Sequence, residues 1–257
     1  MEKGKIGRML EEKKENIQKQ IFQIKLAGFR IEISCFYSAM KAYCKEYLVE
    51  DTEKADIFVN IAEADILYEE EKSKGEQGEF SKAYLETLAV YRKIAEALLE
   101  YDILLFHGSV IAVDGQAFIF TAKSGTGKST HTRLWREYFG ERAVMVNDDK
   151  PLLKVSKEGL VVYGTPWNGK HRLGSNMSAT VKGICILKRA EQNAIQKIDE
   201  KQAYPMLLQQ TYRMNTAEGM IKTLKLVEEM AKQADLYELG CNMELEAAKV
   251  AYEGMRG

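Results

Sequence analysis

The residues with the clearest chemistry form a glycine-rich segment that ends in Gly-Lys-Ser-Thr. Backbone N–H groups in such a loop donate hydrogen bonds to phosphate oxygens, and the N-terminus of the helix that follows adds a partial positive charge. Lys128 is expected to reach the β- and γ-phosphates of a nucleotide, and the Ser129 hydroxyl is expected to bind Mg²⁺. The strict pattern opens with glycine, where this chain has Ala122. The expected nucleotide-binding residues are Ser124, Gly125, Thr126, Gly127, Lys128, Ser129 and Thr130.

Two adjacent acids, Asp148 and Asp149, follow an apolar segment at residues 144–146. One carboxylate of such a pair can hold Mg²⁺, directly or through water, and the other can accept the proton of an attacking hydroxyl. The alternative is a pair of acidic turn residues that cap a strand. The Gly-Lys-Ser upstream favours the catalytic interpretation.

Three further parts of the chain carry basic or titratable groups that can approach the same site. His107 lies at the end of a predicted strand, where it can donate to a phosphate oxygen or tune the pKa of an aspartate. The loop at 164–172 can act as a lid that supplies Lys170 or Arg172 to the transferring phosphoryl group. His131 and Arg133 lie close enough to the start of the helix to approach a nucleotide. The alternatives are a structural histidine at 107 and, for the loop, a polar connection.

Hydrophobic periodicity predicts the elements that position these residues. Around the loop it predicts a strand at 116–121, a helix at 130–139, a strand at 143–146, and strands at 103–106 and 110–113, with Asp114-Gly115 as a hairpin turn. Before them it predicts a charged helix or arm at 1–19, a strand pair at 20–26 and 29–34, a helix at 36–47, a strand at 57–61, a solvated loop at 69–79 and a helix at 81–101. After them it predicts a hairpin at 152–163, strands at 181–187 and 194–198, and helices near 200–210, 219–235 and 244–252. This mixture predicts a mixed α/β fold rather than a regular βαβ repeat.

Bulk composition narrows the class of protein. The chain has 257 residues, 46% hydrophobic and 29% charged, with a formal net charge of −1, as in ordinary globular proteins. A near-neutral charge argues against a nucleic-acid partner. Four scattered cysteines indicate neither a zinc site nor a disulfide framework, which favours the cytoplasm. No apolar run approaches the ~18 residues of a membrane span, so no membrane partner is expected.

Taken together, the motifs resemble those of the HPr kinase/phosphorylase family. The resemblance rests on His107-Gly108, the hairpin, the segment Ser124–Ser129 and the pair Asp148-Asp149, and it covers about residues 103–190. The Ser-Gly-Thr-Gly-Lys-Ser core is also similar to that of ATP-dependent phosphoenolpyruvate carboxykinase. The segments Asn147-Asp148-Asp149 and 165–170 resemble those of HPr-kinase-like proteins, including proteins that phosphorylate a serine in peptide-maturation clusters.

The resemblance implies a mixed-sheet P-loop core of the HPr kinase/phosphoenolpyruvate carboxykinase type. A P-loop kinase core is expected at 101–257. A smaller N-terminal α+β region is expected at 1–100, outside the part that the resemblance covers, with acceptor or partner recognition as its candidate role. The resemblance implies that Asp148 is the base, that His107 assists it, and that Asp149 lies near the metal with Ser129. Related kinases assemble as oligomers, so a homo-oligomer is a further expectation.

The expected activity is therefore that of an ATP-dependent kinase that uses Mg²⁺. It would transfer the γ-phosphoryl group of ATP to a hydroxyl, with a serine of a protein, peptide or small molecule as the acceptor. A non-catalytic nucleotide-binding or sensor module is the main alternative. A small phosphoenolpyruvate-carboxykinase-like enzyme is a third.

Overall fold

The protein is described here by a computed structural model covering residues 18–50, 53–75, 80–169 and 171–256. Strands and helices mix along the chain, which confirms the mixed α/β class. The described residues divide into two compact units, one from residues 18–25 with 29–92 and the other from residues 26–28 with 93–256. The charged helix or arm expected at 1–19 lies outside the described residues except for its last two. The division into a region at 1–100 and a core at 101–257 stays a prediction.

A mixed sheet organises the N-terminal part of the chain. Its described elements are β1 (Gln20–Leu26), β2 (Phe29–Cys35), α1 (Ala39–Tyr43), β3 (Leu48–Val49), β4 (Ile57–Asn60), α2 (Glu63–Lys72) and α3 (Lys82–Leu98). The strand order is β3-β1-β2-β4, with β1 antiparallel to β3 and β2 parallel to β4. Alternate residues of β1 and β2 are buried, as the alternating sequence pattern predicts.

Two predictions in this part of the chain need correction. The helix expected at 36–47 is limited to α1 and a 3₁₀ turn at Lys45–Tyr47. The solvated loop expected at 69–79 is wrong over its first residues, because α2 continues to Lys72. Arg92 pairs with Glu69 at 2.6 Å and with Asp65 at 3.3 Å, so these acids are neutralised rather than solvated. Residues 76–79 lie outside the described residues.

A larger mixed sheet organises the second unit and has nine strands among the described residues. Its strands are β5 (Ile103–Leu105), β6 (Ser109–Val113), β7 (Gln116–Thr121), β8 (Ala143–Asn147), β9 (Leu152–Ser156), β10 (Gly159–Tyr163), β11 (Ser178–Arg189), β12 (Ala194–Lys197) and β13 (Leu236–Cys241). The main order is β5-β9-β10-β11-β7-β6-β8, and β13 pairs with β11 and β12. β11 is parallel to both β7 and β13, whereas β6 is antiparallel to β7 and β8.

Helices cover both faces of this sheet. They are α4 (Lys128–Phe139), α5 (Glu200–Gln210), α6 (Ala217–Gln233) and α7 (Glu246–Met255). Trp135 of α4 and Ala251 of α7 belong to one buried cluster, and Leu207 of α5 and Val227 of α6 belong to another. Alternate residues of β6 and β7 point into the two clusters, which explains why both strands are apolar throughout.

Local signals predicted most elements of the second unit. The Asp114-Gly115 turn is confirmed, with φ values of 52° and 83° that suit this pair of residues. The final strand, β13, was not predicted from the sequence. No helix among the described residues has the length and apolar composition needed to cross a lipid bilayer.

Candidate functional site

The sheet topology gathers the predicted site residues at one edge. β6 lies between β7 and β8 and is antiparallel to both, so β7 and β8 run in the same direction. The carboxyl ends of β7 and β8 and the amino end of β6 therefore meet at this edge. The glycine-rich loop leaves β7 here, and the acidic pair follows β8 here.

A cleft of about 500 Å³ opens at this edge. It is lined by His107, Ser124, Gly125, Gly127, Lys128, Ser129, Thr130, Asp148, Asp149, Gly169 and His171. Nine of these are residues that the sequence analysis selected. Thr126 lines an adjoining cavity instead, Arg172 is exposed beside the cleft and outside its lining, and Lys170 lies outside the described residues.

The loop conformation depends on its two glycines. Gly125 and Gly127 have φ values of +76° and +123°, in the region that side chains rarely adopt. The Thr126 hydroxyl donates to the carbonyl of Lys123 at 2.8 Å and closes the turn. The side chain of Ala122, which stands where the strict pattern has glycine, is buried, with 1% of its surface exposed.

Lys128 is buried at the start of α4, with 9% of its surface exposed. Its Nζ donates to the carbonyl oxygen of Ala122 at 3.2 Å. Burial lowers the pKa of Lys128, and the charges of Asp149 and Asp148 oppose that shift. An ammonium group held beside a glycine-rich loop is positioned to interact with an anion.

Asp148 is nearly enclosed, with 5% of its surface exposed. Its Oδ1 accepts a short hydrogen bond from the Ser109 hydroxyl, at the start of β6. Its Oδ2 lies on the side of Gly169, where an added Cβ would stand 3.2 Å away. One carboxylate oxygen is therefore fixed by the protein, and the other lies beside a residue that has no side chain.

Asp149 has a different environment from its neighbour. Its carboxylate lies 3.3 Å from Nε2 of His107 and 3.4 Å from Nζ of Lys150. Burial raises the pKa of Asp149, but the hydrogen bond with His107 and the charge of Lys150 outweigh burial, so the pKa lies below its usual value. The lowered pKa of Asp149 keeps the carboxylate ionised, and because 31% of its side chain is exposed it can be reached from the cleft.

Two polar residues that support the acidic pair were not selected from the sequence. Asn147 is fully buried, and its Oδ1 accepts from the backbone N–H groups of Asp149 and Lys150 at 2.8 and 2.7 Å. Its amide donates to Thr165 Oγ1 at 3.0 Å. Asn147 therefore shapes the turn that presents the acids. An asparagine directly before paired acids was the available signal for Asn147. Ser109, which donates to Asp148, has no such local signal, because it lies 39 residues away in the sequence.

The donor set fits a magnesium ion that is shared with a nucleotide. Ser129 is exposed in the cleft, and Asp149 supplies a reachable carboxylate. No cluster of three or more His, Cys, Asp or Glu side chains suited to a metal occurs among the described residues. Mg²⁺ in phosphotransfer sites commonly uses one or two protein ligands and takes the others from phosphate and water. Ser129 and Asp149 are therefore the residues that would hold it.

Replacing Gly169 by alanine is expected to reduce the activity of this site more than its stability. The new Cβ would stand 3.2 Å from Oδ2 of Asp148, which is closer than most Cβ atoms pack, and 3.6 Å from the carbonyl oxygen of Asp148, which is an ordinary contact. Because Ser109 restrains the carboxylate, a displacement of a few tenths of an ångström is expected to lower kcat about tenfold. Steady-state kinetics and thermal unfolding of Gly169→Ala test this. An unchanged kcat would show that Oδ2 has no part in catalysis.

Replacing His107 by alanine is expected to shift the acid limb of the pH dependence of nucleotide binding. Asp149 has a lowered pKa in the folded protein, so its contribution to stability is present above the ordinary carboxyl pKa and is lost as pH falls through the lowered value. Removing the His107 hydrogen bond raises the pKa of Asp149. Magnesium-dependent nucleotide binding, measured by calorimetry over the acid range, should therefore fail at a higher pH in the variant.

His171→Ala is the matched control for that experiment. His171 lines the same cleft and makes no hydrogen bond or ion pair to Asp149 among the described residues. The acid limb of the nucleotide-binding curve should lie at the same pH in His171→Ala as in the wild-type protein. If both histidine variants moved the acid limb equally, His107 would not be the group that sets the ionisation of Asp149.

Comparison with known proteins places the chain in a family. A search of curated proteins finds no match. Among solved structures, the HPr(Ser) kinase/phosphatase from Coxiella burnetii is weakly similar, with a TM-score of 0.25 and 15% identity over 37% of this chain and 70% of that chain. The family model described as SynChlorMet cassette protein ScmC matches residues 79–246, which is more than half of the chain. The chain therefore belongs to the ScmC family.

Proposed function

We propose that this protein is an ATP-dependent kinase that transfers the γ-phosphoryl group to a hydroxyl. The proposed acceptor is a serine of a protein, a peptide or a small molecule. The observation that carries the proposal is the cleft itself, which has a volume of about 500 Å³. Lys128 and Ser129 of the glycine-rich segment line it together with the acids Asp148 and Asp149. The motif resemblance to the HPr kinase/phosphorylase family agrees with it.

The proposed proton acceptor is Oδ2 of Asp148. Because Oδ1 already accepts the Ser109 hydroxyl, Oδ2 is the oxygen that remains to receive a proton. The acceptor oxygen forms a bond to the γ-phosphorus while the bond from that phosphorus to the bridging β–γ oxygen breaks. The acceptor proton moves to Asp148, and ADP leaves. Enclosure of Asp148 holds the base in a fixed orientation, which favours in-line transfer.

Neutralisation of charge is the second part of the proposed catalysis. Lys128 offsets the negative charge that develops on the phosphate oxygens. Asp149 and Ser129 would hold Mg²⁺, which supplies further positive charge when it is bound with the nucleotide. His107 keeps Asp149 ionised and oriented through their 3.3 Å contact. The two acids thus serve different roles because their surroundings differ.

Part of the chain lies outside the proposed P-loop kinase core at 101–257. We propose that the region at 1–100 recognises the acceptor or a partner, since the residues of the cleft all come from the core. Because the family is described as a cassette protein, products of neighbouring genes are the first acceptors to test.

A phosphate-transfer assay tests the proposal. The protein is incubated with Mg²⁺, γ-labelled ATP and the products of neighbouring genes, and label is followed into protein and peptide by mass spectrometry. We expect label on a serine, with equal formation of ADP and no transfer when Mg²⁺ is chelated. Tight ATP binding without transfer to any acceptor would instead favour a nucleotide-binding sensor. Formation of phosphoenolpyruvate from added oxaloacetate would favour a carboxykinase-like enzyme.

A further inference from the structure

A cavity of about 510 Å³ adjoins the glycine-rich loop and was not expected from the sequence. Because β7, β11 and β13 are parallel, the carboxyl ends of β11 and β13 lie beside the start of the loop. Gly125 and Gly127 line both this cavity and the cleft that holds the acids. A single ligand with its phosphates at the loop therefore has space for its other end here.

The lining of the cavity suits a flat ring with apolar faces. Leu187, Ala190, Cys241 and Met243 supply apolar or weakly polar surface, and 77% of Met243 is exposed. Burial raises the pKa of Cys241, so its thiol is neutral and adds no charge. Aromatic ligands bind best where apolar walls surround a few fixed polar groups.

Arg189, at the end of β11, is one such fixed group. Its Nη2 donates to the carbonyl of Gly125 at 2.5 Å, and its Nε donates to the carbonyl of Thr126 at 3.3 Å. These bonds hold the guanidinium plane against the loop while the side chain lines the cavity. A planar cation held in this way can stack on an aromatic base.

His131 supplies a hydrogen-bond donor without a partner. The residue is 2% exposed. Its Nε2 accepts from the indole N–H of Trp135 at 3.0 Å, so the proton must be on Nδ1. Nδ1 has no hydrogen-bond partner in the described structure. A buried donor left in this state carries a free-energy cost that an acceptor atom on a ligand would relieve.

We propose that this cavity binds the purine base of the nucleotide whose phosphates occupy the glycine-rich loop. The base lies among Leu187, Ala190 and Met243, stacks on Arg189, and accepts a hydrogen bond from His131 through a ring nitrogen. The inference rests on the proposed function only for phosphate binding at the loop. It assigns base recognition to residues of β11, the segment after β13 and the first turn of α4.

Binding of magnesium tripolyphosphate, which has no base, separates this inference from the proposed function. Calorimetry should give a Kd for magnesium-ATP at least about tenfold below that for magnesium tripolyphosphate, with GTP close to ATP and UTP at least about tenfold weaker. Equal affinity for ATP and tripolyphosphate would overturn the base site and leave phosphate binding intact. Equal affinity for UTP and ATP would overturn the assignment to purines. Failure to bind either compound would overturn the proposed function, and the base site with it.

A pair of alanine-to-tryptophan variants, one inside the cavity and one outside it, tests whether the base occupies the cavity. Ala190→Trp places a large side chain where the base is proposed to lie, and should raise the Kd for ATP about tenfold or more without changing that for tripolyphosphate. Ala194→Trp makes the same change at an exposed alanine nearby on β12, outside the cavity lining, and should change neither. If Ala190→Trp weakened both ligands equally, the cavity would act through the loop and not through a base.

A substitution of His131 alone would leave the indole N–H of Trp135 without its acceptor. The proposed hydrogen bond from His131 is therefore tested in a variant that lacks this N–H. Trp135→Phe removes the indole N–H, and His131→Phe is then compared within that background. We expect the added change to weaken ATP about tenfold and to leave tripolyphosphate unchanged. An unchanged affinity for ATP would remove His131 from base recognition.

Discussion

Asp148→Asn is expected to slow phosphoryl transfer by about 10⁴-fold while nucleotide binding persists. The amide has the shape of the carboxylate and keeps an oxygen to accept the Ser109 hydroxyl, so the local structure should survive. The change removes the proposed proton acceptor, and loss of a positioned general base typically lowers the rate by about 10²–10⁴-fold. We expect a loss near the upper end, because the enclosed position of Asp148 leaves little room for water to replace it. Single-turnover transfer of labelled phosphate measures it.

Asp114→Asn is the matched control for this variant. Asp114 lies in the exposed β6–β7 turn and pairs with Arg142, so the same chemical change there should leave transfer unaffected. Calorimetry with magnesium-ATP should give similar affinities for wild type and both variants. Undiminished transfer by Asp148→Asn would show that the base lies elsewhere, and the assignment of the acidic pair would fall with it.

The predicted parts of this site are those that depend on local sequence. Gly125 and Gly127 adopt positive φ, which the loop requires and which glycine supplies at little cost. The apolar strand before them and the amphipathic helix after them follow from residue spacing alone. A strand–loop–helix unit is therefore recognisable without any knowledge of its neighbours.

The unpredicted parts depend on strand order. Ser109 reaches Asp148 only because β6 pairs with β8, and Arg189 reaches the loop only because β11 pairs with β7. Pairings between strands distant in sequence leave no periodic signal in either strand. The same limit explains why the base-binding cavity, formed by the ends of β11 and β13, was missed.

The charge pattern at α2 gives a wrong prediction for a related reason. The acidic run from Glu69 was interpreted as solvated, yet Glu69 is buried against Arg92. Arg92, 23 residues further along the chain, pairs with Glu69, and the segment predicted as a loop is helical up to Lys72. Partners distant in sequence also distinguish the two acids of the cleft. Asp148 accepts a hydrogen bond from the Ser109 hydroxyl, whereas the adjacent Asp149 contacts His107 and Lys150.

Lys128→Met is expected to slow transfer by about 10²–10³-fold without unfolding the protein. Methionine keeps an apolar chain of similar length in the buried position, so the packing contributed by the lysine stem is preserved. The ammonium group is lost, and removal of one preorganised donor at a developing negative charge typically costs about 10²–10³-fold in kcat. Because burial already disfavours the charged form of Lys128, the thermal midpoint of the ligand-free protein should change little.

The thermal shift on adding magnesium-ATP separates these two effects for Lys128→Met. A ligand stabilises the folded state in proportion to the logarithm of its concentration over Kd, so weaker binding appears directly as a smaller shift. Lys157→Met, in the exposed β9–β10 turn, is the matched control and should keep both the shift and the transfer rate. If Lys128→Met kept the full ATP-dependent shift and the wild-type rate, the ammonium group would have no role at the phosphates. The glycine-rich loop would then be a structural turn, because its buried lysine is the group that links the loop to the charge of the nucleotide.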